Sequence, residues 1–413
     1  MPLDQLFELH QKWIRTVVTS IKRPLIHQIN WKNRLIVLAG MRGVGKTTLL
    51  LQHLQETYSD SRKALYIPAD HILLSQSGLF QTAWEFEKLG GECLVLDEIQ
   101  KYPNWNQELK NIYDSFPALK VIVSGSSSLN LITGQYDLSR RAVLYRMKGL
   151  SFREYLLFRE GLEFPPLSLS DVLTHSSSQA TKILSVLERK GLKVLPLFHD
   201  YLHHGYYPYF LEGVDEYFLK VNNAMSKVLQ EDIPSLFPIK REAIHALQKM
   251  IALVAGSVPF SPNISGLSSD LGISRDSVYQ YLDYLHQAGI FLFLFRHHKG
   301  GKQARKPVKI YLENTNLFYA LEYDRRLEAS MGALREAFVV NQLSSSHQLI
   351  APENGDLLVD RKYHFEIGGM GKSSGQLSGI KNSYILKDNV EAGGPRVIPL
   401  WLLGFVDKHT LSR

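Results

Sequence analysis

Two short stretches of this chain carry residues whose type and spacing point directly to chemistry. The first is Gly40-Met41-Arg42-Gly43-Val44-Gly45-Lys46-Thr47, which fits G-x-x-x-x-G-K-[ST] without a mismatch. Its glycines let the backbone curl so that successive N–H groups face phosphate oxygens, and a following helix adds its positive N-terminal end. In such a loop Lys46 neutralises the β- and γ-phosphates of ATP and the Thr47 hydroxyl ligates Mg²⁺. Residues Gly40 to Thr48 are the expected nucleotide-binding set. Arg42 faces either phosphate or a neighbouring carboxylate.

The second stretch is Cys93-Leu94-Val95-Leu96-Asp97-Glu98, an apolar run ending in two carboxylates. Such a string is common by itself. After a complete phosphate loop it gains meaning: Asp97 would hold Mg²⁺ through its water shell and Glu98 would polarise an attacking water. A further apolar run, Val121-Ile122-Val123, leads into Ser124-Gly125-Ser126-Ser127-Ser128. A hydroxyl there would sense the γ-phosphate; Ser124 is favoured and Ser126 is the alternative, against a plain Ser/Gly turn. Arg140 and Arg141 follow. One of them is a candidate arginine finger reaching a neighbouring copy, the competing reading being a surface ion pair.

The elements that must position these residues are visible as pattern. A buried strand is expected at Leu35 to Ala39, a helix over residues 47–58, and strands at Ala64 to Ile67, Cys93 to Leu96 and Val121 to Val123. Short apolar strands alternating with helical segments predict a parallel sheet covered on both faces. The expected division is a helical segment at 1–30, an α/β core at 31–150, a helical extension at 151–240, a helix-turn-helix module at 241–330 and a C-terminal α/β domain at 331–413. Ser170 to Thr181 is polar and Ser-rich and reads as a loop. The C-terminal part predicts a helix at Leu334 to Leu343 and strands at Asp356 to Val359, Tyr363 to Ile367, Tyr384 to Leu386 and Ile398 to Leu403.

Val37 to Thr48, Leu96-Asp97-Glu98-Ile99-Gln100 and Val123-Ser124-Gly125-Ser126 together resemble the prokaryotic AAA-type P-loop ATPase family that carries a C-terminal domain of unknown function. Gly149-Leu150-Ser151-Phe152-Arg153-Glu154-Tyr155 and Gly205-Tyr206-Tyr207-Pro208 add to the likeness, which extends over nearly the whole chain. The resemblance implies an AAA-type core, a helical extension, a winged helix and a restriction-endonuclease-like C-terminal domain. It also implies ATP binding with hydrolysis, and an arginine near Arg141.

Asn263 to Gly289 reads as two helices around a turn at Gly272, with Ser274 capping the second and Val278, Leu282 and Leu285 as its apolar stripe. Arg275, Ser277 and Gln280 would face a DNA groove, and Lys299, Lys302, Arg305 and Lys306 would grip phosphates. Asp276 and Asp283 on the same helix weigh against this, and a basic run is often only a solvated loop. Further on, Glu336, Asp356 and Glu366 resemble the acidic set of PD-(D/E)xK nucleases, but Gly368 stands where the lysine belongs and Lys372 is the remaining substitute. An inactive, nuclease-like binding module is therefore expected.

The whole chain has 413 residues, 45% hydrophobic and 21% charged, with a formal net charge of +7 that favours anionic partners. A lone cysteine, Cys93, gives no internal disulfide framework, no apolar run is long enough for a bilayer, and the N-terminus lacks a signal-peptide layout. A cytoplasmic protein is expected. The leading expectation is an ATP hydrolase whose nucleotide state repositions the later modules. An ATP-switched DNA-binding regulator with little turnover is the first alternative, and a metal-dependent nuclease the second.

Overall fold

A computed structural model of the chain describes residues 2–126, 138–256, 260–296, 306–325, 330–371 and 379–407. Ser127, Ser128, Lys299, Lys302, Arg305 and Lys372 lie outside the described residues. The chain divides into two units: Met1–Gly149 with Glu231–Pro238, and Leu150–Gln230 with Ile239–Thr410.

In the first unit five parallel strands, β1 (Leu35–Ala39), β2 (Ala64–Pro68), β3 (Cys93–Asp97), β4 (Lys120–Gly125) and β5 (Ala142–Arg146), lie in the order β2-β3-β4-β1-β5. Every residue of β1 and β3 is buried, as the continuous apolar runs require when both faces are covered. On one side Val37, Leu65, Leu94, Leu96, Val121 and Val123 join a core with Leu3 and Leu6 of the helix Pro2–Thr16 and Phe86 of the helix Leu79–Lys88. Strand β2 is an edge. Its Tyr66 N–H would be an open donor there, and it is taken by Nδ1 of buried His10 at 3.1 Å. The register Leu38↔Ser124 and Ala39↔Gly125 brings the ends of β1 and β4 side by side.

The second unit begins with helices. The motif around Ser151 is a capping box: Ser151 Oγ accepts from Glu154 N and Glu154 Oε2 accepts from Ser151 N at 2.9 Å, starting the helix Phe152–Glu160. The Gly205–Pro208 motif is also structural. Tyr206 N donates to Asn316 Oδ1 at 2.7 Å, and the Tyr206 hydroxyl donates to buried Glu313 Oε1 at 2.8 Å. The expected loop at Ser170 to Thr181 is instead the end of the helix Leu169–Thr174 and the start of Ser176–Arg189. The serines misled the reading. Ser168 and Asp171 form a second capping box, while Val172, Ala180, Ile183 and Leu187 supply the buried stripe.

Helices Arg241–Gly256, Ile264–Leu271 and Arg275–Gln287 precede the antiparallel strands β6 (Phe291–Arg296) and β7 (Lys309–Leu312). Gly272 ends the middle helix at φ 66 and Ser274 caps the next through Ser277 N. Strands β8 (Leu349–Ala351), β9 (Leu357–Val359), β10 (Tyr363–Gly368), β11 (Ser383–Lys387) and β12 (Val397–Pro399) continue the same sheet, in the order β12-β11-β10-β9-β8-β6-β7. The link is parallel pairing of Phe295 with Ile350 and Arg296 with Ala351. The stretch after Pro399 is a 3₁₀ helix, Leu400–Phe405, rather than more strand.

Candidate nucleotide and metal site

Strand β1 runs straight into the phosphate loop, and the helix Lys46–Thr57 leaves it. Gly43 and Gly45 hold φ values of 84 and 97, in the left-handed region where a Cβ is strained. At Gly40 a Cβ would stand 2.3 Å from the Met147 carbonyl oxygen, so only glycine lets β1 turn beside the end of β5. Gly40 N in turn donates to Gly125 O, tying the loop to the end of β4. Lys46 is buried and its ammonium donates to the carbonyls of Gly40 (2.8 Å) and Met41 (3.0 Å). Val44 is buried, while Thr47 and Thr48 at the helix start are exposed.

Asp97 ends β3 directly beside this loop. Its Oδ2 accepts from the Thr47 hydroxyl at 2.5 Å and from the Tyr66 hydroxyl at 2.7 Å. Its Oδ1 accepts from the Ser124 hydroxyl and from Glu98 N at 3.1 Å. The carboxylate is only 4% exposed, yet both oxygens are satisfied. Burial, followed by the charge of Asp97, raises the Tyr66 pKa, so Tyr66 stays a neutral donor. Thr47 and Asp97 thus bring two hard oxygen donors together, the chemistry that suits Mg²⁺.

Glu98 adopts a left-handed backbone, φ 55 and ψ 46, which costs a non-glycine residue about 1 kcal/mol or more. That turn aims its side chain back at the loop. Gln100 donates to Oε2 at 2.8 Å, and Lys46 Nζ and Arg42 Nη2 each lie 3.7 Å from a Glu98 oxygen. Arg42 turns to carboxylates: Nε and Nη2 donate to Asp232 at 3.1 and 2.8 Å, and Nη2 reaches Glu231 at 2.9 Å. Burial alone would lower the Arg42 pKa, but Asp232, Glu98 and Glu231 together raise it.

Lys46, Thr47, Asp97, Glu98 and Ser124 therefore meet at one place. Ser124 bonds Asp97 and accepts from Glu98 N at 3.3 Å. Ser126 is buried and its hydroxyl has no hydrogen-bond partner among the described residues. Arg141 lies elsewhere. It forms an ion pair with Asp114 at 3.0 Å and lies over the Tyr113 ring. It immediately precedes Ala142, which is in register with Leu35 rather than with Ala39, at the far end of β1 from the loop. That is roughly 13 Å along a strand. Arg140 is exposed.

Sequence reasoning missed Tyr66, Gln100, Asp232 and Arg23. Buried Arg23 donates to Val44 O of the loop and to Lys148 O, both at 3.1 Å. Gln100 lies in the Leu96–Gln100 stretch, whereas nothing in local spacing marks Asp232, 190 positions from Arg42.

Residues 32–156 match the family model described as AAA domain, and residues 195–331 match a domain of unknown function, DUF8612. The likeness to AAA domains thus falls on the segment that carries the parallel five-stranded sheet. An uncharacterized protein of Methanocaldococcus jannaschii, MJ1637, is 27% identical over 295 residues; the match covers 68% of this chain and 61% of that protein. Among solved structures, C. elegans PCH-2 matches at 17% identity and TM-score 0.24, over 68% of this chain and 67% of that one. AMPPCP-bound DnaA from Aquifex aeolicus matches at 14% identity and TM-score 0.26, over 68% and 87%. Among the described residues no helix is long and apolar enough to cross a membrane.

Proposed function

We propose that the first unit binds MgATP and hydrolyses it. The observation that carries this reading is the Thr47–Asp97 contact beside buried Lys46, with Glu98 aimed at the same place. The loop N–H groups and Lys46 would hold the phosphates. Bound Mg²⁺ would draw charge from the β- and γ-oxygens, with Thr47 as ligand and Asp97 behind its water shell. Glu98 takes a proton from water, and Gln100 keeps its carboxylate oriented. Ser126 suits the γ-phosphate contact better than Ser124, because Ser124 already serves Asp97.

Arg141 would act only toward a second copy, since in its own chain it sits at the other end of β1. Its finger role predicts that Arg141→Ala lowers turnover only where copies assemble. In the second unit we read the three helices with β6 and β7 as a winged helix, and the sheet beyond as nuclease-like in fold. Arg275, Tyr279 and Gln280 are exposed on the helix after the Gly272 turn, and duplex DNA is the partner that face would take.

The test is steady-state phosphate release with and without duplex DNA. Mg²⁺-dependent turnover, lost in Lys46→Ala, is the expected result. Tight ATP binding without turnover, accompanied by nucleotide-dependent DNA retention, would favour the switch reading instead.

A further inference from the structure

Arg42 is shared between two sets of carboxylates. On one side it makes a forked pair with Asp232, which is 2% exposed, and reaches Glu231. On the other, its Nη2 lies 3.7 Å from Glu98 Oε2 while Lys46 Nζ lies 3.7 Å from Glu98 Oε1. The Glu98 carboxylate therefore bridges the two cations. Arg42 stands within one carboxylate of the ammonium assigned to the β- and γ-phosphates. A guanidinium binds phosphate in the same forked manner as carboxylate, so a triphosphate end competes with Asp232 for the same donors.

Chain connectivity gives that competition a consequence. Glu231–Pro238 belongs to the first unit, but the chain on both sides of it, Leu150–Gln230 and Ile239–Thr410, belongs to the second. Any change in how Arg42 holds this segment is passed covalently to the helices Tyr217–Lys227 and Arg241–Gly256. A buried Asp232 that loses its cation is left as an uncompensated charge, so the segment must move or rehydrate when the pair breaks.

We propose that Arg42 distinguishes ATP from ADP by exchanging Asp232 and Glu231 for the γ-phosphate, holding Glu231–Pro238 in the diphosphate state and releasing it in the triphosphate state. Asp232 and Glu231 are positioning residues in this scheme, and it rests on the reading of the site as an MgATP site.

The experiment measures hydrogen exchange at the amides of Glu231–Pro238, together with affinities for MgADP and for Mg-β,γ-methylene-ATP. The full chain is used as wild type and as Asp232→Asn, Glu231→Gln and Arg42→Ala. In wild type the triphosphate analogue speeds exchange in the segment and ADP does not. Asp232→Asn raises the preference for the triphosphate by about fivefold or more. Glu231→Gln, at a half-exposed surface position that leaves the fold intact, moves it the same way by less. Arg42→Ala exchanges fast with either nucleotide and loses the preference. Equal exchange with both nucleotides in wild type, or equal tightening of both by Glu231→Gln, overturns the inference alone. A wild type that binds neither nucleotide overturns the MgATP reading as well.

Discussion

Two groups of carboxylates, one at the end of β3 and the other spread over the helix Met331–Leu343 and the strands β9 and β10, are held in different ways. In the first unit Asp97 is surrounded by hydroxyls from Thr47, Tyr66 and Ser124. Hydroxyl oxygens are themselves metal ligands and can rotate to admit a cation. In the second unit Glu336 accepts from Lys309 Nζ at 3.0 Å and Tyr311 at 2.7 Å, and Asp356 Oδ2 accepts from Ile367 N at 2.7 Å. An ammonium on Glu336 repels a divalent ion, and Gly368 supplies no lysine after buried Glu366. Among the described residues no group of three His, Cys, Asp or Glu is arranged to hold a metal. Acidic residues near each other thus have two fates. Asp97 has only neutral donors on its oxygens, which suits a cation, whereas Glu336 is held at 3.0 Å by the Lys309 ammonium, closer than the 3.7 Å at which Lys46 stands from Glu98.

The largest effect should come from the first group. Glu98→Gln is expected to lower kcat by about 10² to 10⁴ fold while MgATP affinity changes by only a few fold, as removal of a general base requires. Single-turnover kinetics checks this. A kcat near wild type would put Glu98 on the same footing as the structural acids.

Acid should separate the units next. Burial lowers His10 to about 4, and burial with the charge of Lys120 lowers His53 to about 4. Both folded values lie below the unfolded value of about 6.5, so the unfolded state binds more protons between them. Stability is present above pH 6.5 and is lost as pH falls toward 4, on the order of 3 kcal/mol per histidine. His203 and His204 of the second unit are also lowered by burial, but are less enclosed. Hydrogen exchange during acidification should therefore show β2, whose Tyr66 N–H depends on His10, opening before β10. The reverse order would contradict the assignment.

A smaller effect is expected in the second unit. Asp356→Asn should cost about 1 to 3 kcal/mol of stability in denaturant titration, by weakening the bond from Ile367 N. Wild type should show no Mg²⁺-dependent cleavage of duplex DNA. Cleavage that disappears in Asp356→Ala would erase the contrast between the groups. The smallest change is Tyr66→Phe. It removes one of several donors to Asp97, and should weaken Mg²⁺-dependent nucleotide binding by up to about fivefold, roughly 1 kcal/mol.

The candidate site was legible because its parts are local. A loop of eight residues and a strand ending in Asp97-Glu98 each carry their geometry in adjacent residues. Strand β1 was read at its observed limits for the same reason, as a continuous apolar run. Strand β5 was missed: Ala142 to Arg146 is only half-buried and ends in Arg146, so its pattern is weak. The partner of Arg42 could not be read at all, since tertiary folding brings Asp232 to the loop from a distant segment. The serines of 176–178 show the converse error, in which polar composition concealed a helix whose stripe is Ala180, Ile183 and Leu187.

Equilibrium dialysis of radiolabelled ATP against the full chain, with and without Mg²⁺, tests the central claim most directly. One saturable site per chain is expected, tightened by Mg²⁺, abolished in Lys46→Ala and stripped of its Mg²⁺ dependence in Asp97→Asn. A folded wild-type protein that retains no ATP, or ATP retained equally by Lys46→Ala, would contradict it.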